Sequence, residues 1–206
     1  MKAIHASIAA AALAALTPAT NADDAALYGP EAPPGSAFIR VFNASDVPDL
    51  QAQIGEVAID DVDAWEVGSF EYLPPGSKTL SAGNVESRVD LQPNRFYTAV
   101  VDGRRVHLLD NAGYGNRLKA LLILYNLTDA GALSLRTSDG STTVIDAVGS
   151  GTYGTREVNA ARARLTVFAG ERRVAETELL TLSRGKALSL FAIGPADAPR
   201  LVLAQN

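Results

Sequence analysis

The sequence predicts an all-β protein built from two tandem small β-sandwich domains, immunoglobulin-like in strand spacing and joined by a short linker. Three observations carry that expectation. Short apolar, β-branched runs recur at intervals of about 8 to 12 residues, separated by Gly, Pro and Asp turn signals. No stretch after the first two dozen residues has the 3.6-residue apolar period of an amphipathic helix. And one unit is written twice: Ala37 to Ser45 and Ala120 to Thr128 are each an apolar run that reaches an aromatic-Asn pair, Phe42-Asn43 or Tyr125-Asn126, and then Ser45 or Thr128. Looser echoes follow in order, Val67-Gly68-Ser69 with Val148-Gly149-Ser150, and Leu91 to Tyr97 with Leu182 to Leu188. The offsets drift, as expected of a diverged duplication rather than an array.

Taken in order, residues 1–22 read as a signal peptide: Lys2 supplies the charge, Ala6 to Leu16 the apolar run, and Thr20-Asn21-Ala22 the small residues at which a peptidase cuts. The run is shorter than the roughly 20 residues that span a bilayer, and nothing later approaches that length, so no transmembrane segment is expected in the mature chain. Residues 23–36 form an extended leader, because Pro30, Pro33 and Pro34 forbid helix and Gly35 marks a turn. The first sandwich is placed at 37–112. Leu50 to Ile54 and Val57 to Ile59 flank a Gly55-Glu56 hairpin, Val67 to Leu73 is a strand stopped by Pro74-Pro75-Gly76, and Val85 to Leu91 alternates with a period of two. Arg95 to Val101 turns through Asp102-Gly103 into Arg104 to Leu109. Residues 113–118 are the linker, since Gly113 and Gly115 interrupt the strand rhythm. The second sandwich, 119–206, continues with a hairpin across Asp139-Gly140, a turn leading into Leu165 to Phe168, and strands at Val174 to Leu182, Lys186 to Ile193 and Leu201 to Leu203.

The chain has 206 residues, no cysteine and a formal charge of −5. An exported protein without disulfides suits a bacterial periplasm better than a bridge-stabilised extracellular scaffold. The charge is divided unequally. Asp23 to Gly113 carries 15 acidic and 6 basic residues, net −9, whereas Tyr114 to Asn206 carries 8 and 11, net +3. A net acidic chain without a dominant basic excess argues against nucleic-acid binding.

Chemistry is sparse in the sequence. His107 is the one histidine after the leader and sits between Val106 and Leu108 in an expected strand, where a structural role is the plainer reading than a Ser-His-Asp site. No nucleophile-elbow, zincin or phosphate-loop motif occurs, so no catalytic residue, metal ligand or cofactor is assigned. Asp60, Asp61 and Asp63 cluster without the glycine and closing glutamate of a calcium loop, which leaves a solvated turn. Trp65 is either a core aromatic or an exposed platform for a sugar ring or protein contact. Tyr114 in the linker, with Arg117 and Lys119 beside it, is the better surface candidate, an aromatic and two cations suited to a uronate chain in an interdomain cleft, with a structural linker as the plainer reading.

The stretches Ala26 to Pro30, Ala32 to Ala44 and Tyr72 to Gly76 together resemble the AlgF family. The likeness runs from the signal peptide to the C-terminus, is most specific between Tyr28 and Asn43, and is looser in the second half. What the resemblance implies is a periplasmic, non-catalytic adaptor required for O-acetylation of the exopolysaccharide alginate, working with the acetyltransferases AlgJ and AlgX and the membrane protein AlgI. Those transferases carry the acyl chemistry, so the family supplies no catalytic residue here. Contact with the alginate polymer itself is left open, and the alternative is a carbohydrate-binding or surface adhesion module without acetylation partners.

Overall fold

The computed structural model describes residues 32–111, 116–129 and 131–205, with the Asp60 side chain excepted. The expected signal peptide, the expected leader up to residue 31 and residues 113–115 of the expected linker, Tyr114 included, lie outside the described residues. Pro34–Asn206 forms one unit, and among the described residues every regular element is a strand.

In the first half, one sheet is ordered β4(Glu71–Leu73), β1(Ala37–Asn43), β7(Phe96–Val101), β8(Val106–Asn111), with β1 and β7 parallel. The facing sheet is β3(Val57–Val62), β2(Leu50–Ile54), β5(Gly76–Ala82), β6(Val85–Leu91). Ile39, Val41, Ile54, Leu80, Val89 and Val101 meet between them in one apolar cluster. The second half repeats this order. Its inner sheet is β12(Thr152–Val158), β9(Ala120–Thr128), β17(Ala187–Gly194), β18(Arg200–Gln205), again with a parallel central pair, and its outer sheet is β11(Thr143–Gly149), β10(Ala132–Thr137), β14(Leu165–Ala169), β15(Arg172–Glu176). A short ribbon of β13(Ala161–Ala163) and β16(Leu180–Leu182) is added. The two tandem β-sandwiches expected from the sequence are therefore present, with matching strand orders.

The duplication extends to individual hydrogen bonds. Asn43 and Asn126 are both fully buried. Asn43 Nδ2 donates to the Val62 carbonyl at 3.0 Å and Asn126 Nδ2 to that of Val148 at 2.9 Å, while Ser45 and Thr128 hydroxyls each donate to the corresponding Oδ1 at 2.7 Å. Each asparagine thus ties the end of a central strand to the hairpin strand of the opposite sheet. Val148 is consequently the counterpart of Val62, and the echo read between Val67-Gly68-Ser69 and Val148-Gly149-Ser150 does not correspond in space. The other echo does: Asn94 and Gly185 both have positive φ, 59° and 72°. Their amides donate to Ser36 O and Lys119 O, and the next carbonyls, of Arg95 and Lys186, accept from the amides of Phe38 and Leu121.

Several element expectations need correction. The strand placed at Val67 to Leu73 is reduced to β4, with Val67 making a single antiparallel bridge to Phe42, formed by the bonds from Gly68 N to the Val41 carbonyl and from Asn43 N to the Glu66 carbonyl. The run Val174 to Leu182 is two strands on different sheets, β15 and β16. The Asp102-Gly103 turn spans four residues, the Asp102 carboxylate accepting from the amides of Arg104 and Arg105. β5 and β12, which lack a clean apolar alternation, were not expected at all.

Candidate functional site

Strand β1 sends Ile39 and Val41 into its own sandwich and Arg40 and Phe42 out of the opposite face. Strand β9 does the reverse, with Leu122 and Leu124 inward and Leu121, Ile123 and Tyr125 outward. These outward faces meet. Phe42, Ala44, Val100 and Leu109 of the first half share an apolar cluster with Leu121, Ile123, Tyr125, Phe191 and Val202 of the second. The inner sheets are therefore covered on both faces, which is why β1 and β9 read as near-continuous apolar runs rather than alternating ones. At the centre Phe191 stacks on Tyr125 with ring centroids 4.6 Å apart and meets Phe42 at 5.0 Å. Each such fully buried aromatic stabilises the seam by about 1.5–3 kcal/mol relative to exposure.

A polar network is threaded through this seam. Arg40, only 2% exposed, donates from Nε to Thr98 Oγ1 at 3.0 Å and from Nη2 to Ser189 Oγ of the other half at 3.4 Å. Its guanidinium lies 4.6 Å from the Phe70 ring centroid. Asn111 Nδ2 also donates to Thr98 Oγ1, and Tyr125 donates its hydroxyl proton to Asn111 Oδ1 at 2.8 Å, crossing the seam again. Burial lowers the Arg40 pKa to about 10, partly offset by Tyr125, so the group remains charged at neutral pH. Burial likewise pushes the Tyr125 phenol above its ordinary range, keeping it a proton donor. The sequence signal for this network was a single arginine inside an apolar run, and its meaning depended on knowing that both faces of β1 are covered.

Among the described residues, clefts open at the margins of the seam. One of about 370 Å³ is lined by Trp65, Asp102, Arg105, His107, Thr128 and Ser150 among others. Another, of about 440 Å³, runs past Arg40, Trp65, Phe70 and Val202. Trp65 lines both and combines the two readings: it is partly buried against the apolar cluster of the seam, its indole N–H donates to Asp46 at 2.7 Å, and the Arg200 guanidinium lies 4.1 Å from its ring centroid. Its backbone is left-handed, φ 64°, a strained state for a bulky residue. His107 Nε2 is 3.7 Å from Asp102. Ser150, in the same cleft, donates its hydroxyl to the Thr128 carbonyl at 2.6 Å, so its proton is committed to backbone and not to the imidazole. Partial burial raises the Asp102 pKa, but the amides of Arg104 and Arg105, the Arg105 guanidinium and His107 together hold it below its ordinary value.

Arg117 and Lys119 are exposed and do not line either seam cleft. They lie instead against the turn between β16 and β17, where Gly185 N donates to Lys119 O and Leu121 N to Lys186 O. Asn116 pins the approach, donating to Glu157 and accepting from the Leu118 amide. Arg184 and Lys186, which the sequence reading did not single out, join Arg117 and Lys119 there.

Two sandwiches of the same strand order, stacked through a mixed aromatic and polar seam, define a tandem β-sandwich protein with an internal duplication. The chain belongs to the AlgF family of alginate biosynthesis and O-acetylation: the family described as "Alginate O-acetyl transferase AlgF" matches residues 7–189. It is similar to the alginate biosynthesis protein AlgF of Pseudomonas aeruginosa and to that of Azotobacter vinelandii, in each case 37% identical over 177 residues, covering 85% of this chain and 81% of the relative. The Pseudomonas fluorescens protein of the same name is 33% identical over 190 residues, 92% of this chain and 87% of the relative. Among solved structures, the C-terminal domain of P. aeruginosa AlgF matches with a TM-score of 0.40 and 32% identity, covering 43% of this chain and 99% of that domain. The N-terminal domain matches with a TM-score of 0.36 and 33% identity, covering 40% and 100%.

Proposed function

We propose that this chain is a non-catalytic periplasmic adaptor for alginate O-acetylation, holding the acetyltransferases AlgJ and AlgX together with membrane-bound AlgI. The observation that carries the reading is the seam, which joins an acidic half, net −9 from Asp23 to Gly113, to a basic half, net +3, through a buried aromatic and hydrogen-bonded contact. Such a body offers two faces of opposite field. An acidic face steers a basic partner toward it and repels a polyanion, an effect that salt weakens over a Debye length of about 8–10 Å. Polymer contact, where it occurs, belongs to the second half. The commitment of the Ser150 proton to backbone supports the non-catalytic part of the reading, since a nucleophile needs its proton taken by the base.

Affinity recovery from crosslinked periplasm tests the proposal. Co-recovery of acetyltransferases, reduced when Phe191→Asp opens the seam, is the expected result. Retention of polymer with no protein partner would instead favour a carbohydrate-binding module. An acetyl adduct on the purified protein that disappears in His107→Ala would overturn the non-catalytic assignment.

A further inference from the structure

The duplication supplies an internal control for the basic end of the second sandwich. The turn between β16 and β17, with the segment entering β9, superposes in hydrogen bonding on the turn between β6 and β7 with the segment entering β1. On that correspondence Pro34, Gly35 and Ser36 of the first half stand where Arg117, Leu118 and Lys119 stand in the second, and Pro93 and Arg95 where Arg184 and Lys186 stand. The paired backbone bonds and the positive φ at Asn94 and Gly185 recur in both copies, while the backbone differs at Gly35, whose φ is 82°, and its counterpart Leu118, so the shared turn bonds do not require the second set of side chains. Their chemistry also differs in pairing: Arg95 is ion-paired with Asp110, whereas among the described residues no carboxylate pairs with Arg117, Arg184 or Lys186. In the midst of these cations Leu118 is 76% exposed, the most exposed large apolar side chain among the described residues. It is held rather than loose, its amide bonded to Asn116 Oδ1 at 3.0 Å.

We propose that this tip docks on an anionic lipid bilayer, with Leu118 entering the acyl boundary and Arg117, Lys119, Arg184 and Lys186 meeting the headgroups. A hydrated polyanion gives an exposed leucine nothing to gain, and a protein partner needs a pocket shaped to it. A bilayer accepts one apolar side chain ringed by cations without a matched shape, and long basic side chains reach laterally to phosphates while their stems line the apolar boundary. Glu157, held by Asn116, is the one acidic group at this end that the bonds to the tip involve, and it lies on the side away from the turn carrying Arg184 and Lys186. The proposal rests on the adaptor reading, in which one partner is a membrane protein: a surface that rides on the bilayer confines the adaptor to the plane in which that partner sits.

Flotation of the purified chain with phosphatidylcholine vesicles, with and without phosphatidylglycerol, is the test. Binding is expected only with phosphatidylglycerol and is expected to fall as salt rises. Leu118→Asp should abolish it, and Arg184→Ser with Lys186→Ser should weaken it about fivefold for each charge removed. All variants keep the same N-terminal segment, so differences between them report on the tip, and the exposure of these side chains should leave the melting temperature unchanged. Equal binding to neutral vesicles, no binding to either kind, or variants that bind like the parent would each overturn the proposal. Mannuronate oligomers that compete for the tip but show no dependence on Leu118, in the absence of vesicle binding, would assign the cations to polymer and overturn it as well. Acetyltransferase recovery from detergent extracts is scored on the same proteins. Vesicle binding without that recovery sinks the adaptor and leaves the bilayer contact standing, and the converse does the opposite.

Discussion

Asn43 and Asn126 each donate to a carbonyl of the opposite sheet while accepting a hydroxyl two residues on, so their removal takes that donor from the Val62 or Val148 carbonyl and that acceptor from the Ser45 or Thr128 hydroxyl. Asn43→Ala and Asn126→Ala are each expected to cost about 2 kcal/mol, similar in the two halves, read from the urea midpoint of each variant. A variant at either position that melted like the parent would show that the two asparagines are not equivalent. Asp139 offers a pH-dependent counterpart. The Thr137 hydroxyl, then the Ser141 hydroxyl and amide, donate to its carboxylate and lower its pKa to about 2 from the ordinary 3.8. A depressed carboxylate stabilises the folded turn above its unfolded pKa and loses that contribution as pH falls through its folded one, here between about 4 and about 2. The carboxyl carbon shift of Asp139 should therefore move with a midpoint near 2; a midpoint near 3.8 would mean that the turn bonds do not form in solution.

At the scale of elements, strands whose side chains alternate or run apolar were legible, and those defined by their neighbours were not. β6 was readable from Val85, Val89 and Leu91 alternating with polar residues, and β9 from its apolar run. β5, Gly76-Ser-Lys-Thr-Leu-Ser-Ala, has Leu80 as its one large apolar residue, and it is a strand because β2 and β6 pair with it from both sides. β12 is mostly exposed and owes its place to its long antiparallel pairing with β9. Gly154 within β12 shows how closely that strand is drawn onto the outer sheet: a Cβ there would sit 2.6 Å from Ile145 Cγ2 and 2.8 Å from Val148 Cγ2. Gly154→Ala is expected to cost about 1–3 kcal/mol through forced displacement of β11, measurable by chemical denaturation. Gly131→Ala, where a Cβ meets nothing within 4 Å, is the matched control and should be near neutral.

For the whole molecule, the candidate site was legible only in part. Trp65, Arg117 and Lys119 were visible as residue types, but the seam that places Trp65 and the turn that adds Arg184 and Lys186 arise from pairings far apart in sequence. The seam itself left one trace in the sequence, the lack of alternation in β1 and β9, which signals burial on both faces but does not say by what. Its energetics make a prediction about cooperativity. Arg40 is charged and almost fully buried, and a buried charge is costly unless its hydrogen bonds are met, so Arg40→Ala, which leaves a cavity beside Phe70 and Phe191, should destabilise by about 2–4 kcal/mol. Arg40→Met fills the same space without the desolvation cost and should lie within about 1 kcal/mol of the parent. If the seam couples the halves, calorimetry of the parent should give one transition whose calorimetric and van't Hoff enthalpies agree. Phe191→Asp buries an unpaired carboxylate between Phe42 and Tyr125 and should part the sandwiches, splitting that transition in two, each half retaining its own core of Ile39 and Val41 or Leu122 and Leu124. Two resolved transitions already in the parent would mean that the shared apolar cluster contributes too little to couple the halves, and the rigid two-faced body on which the adaptor reading depends would fall with it.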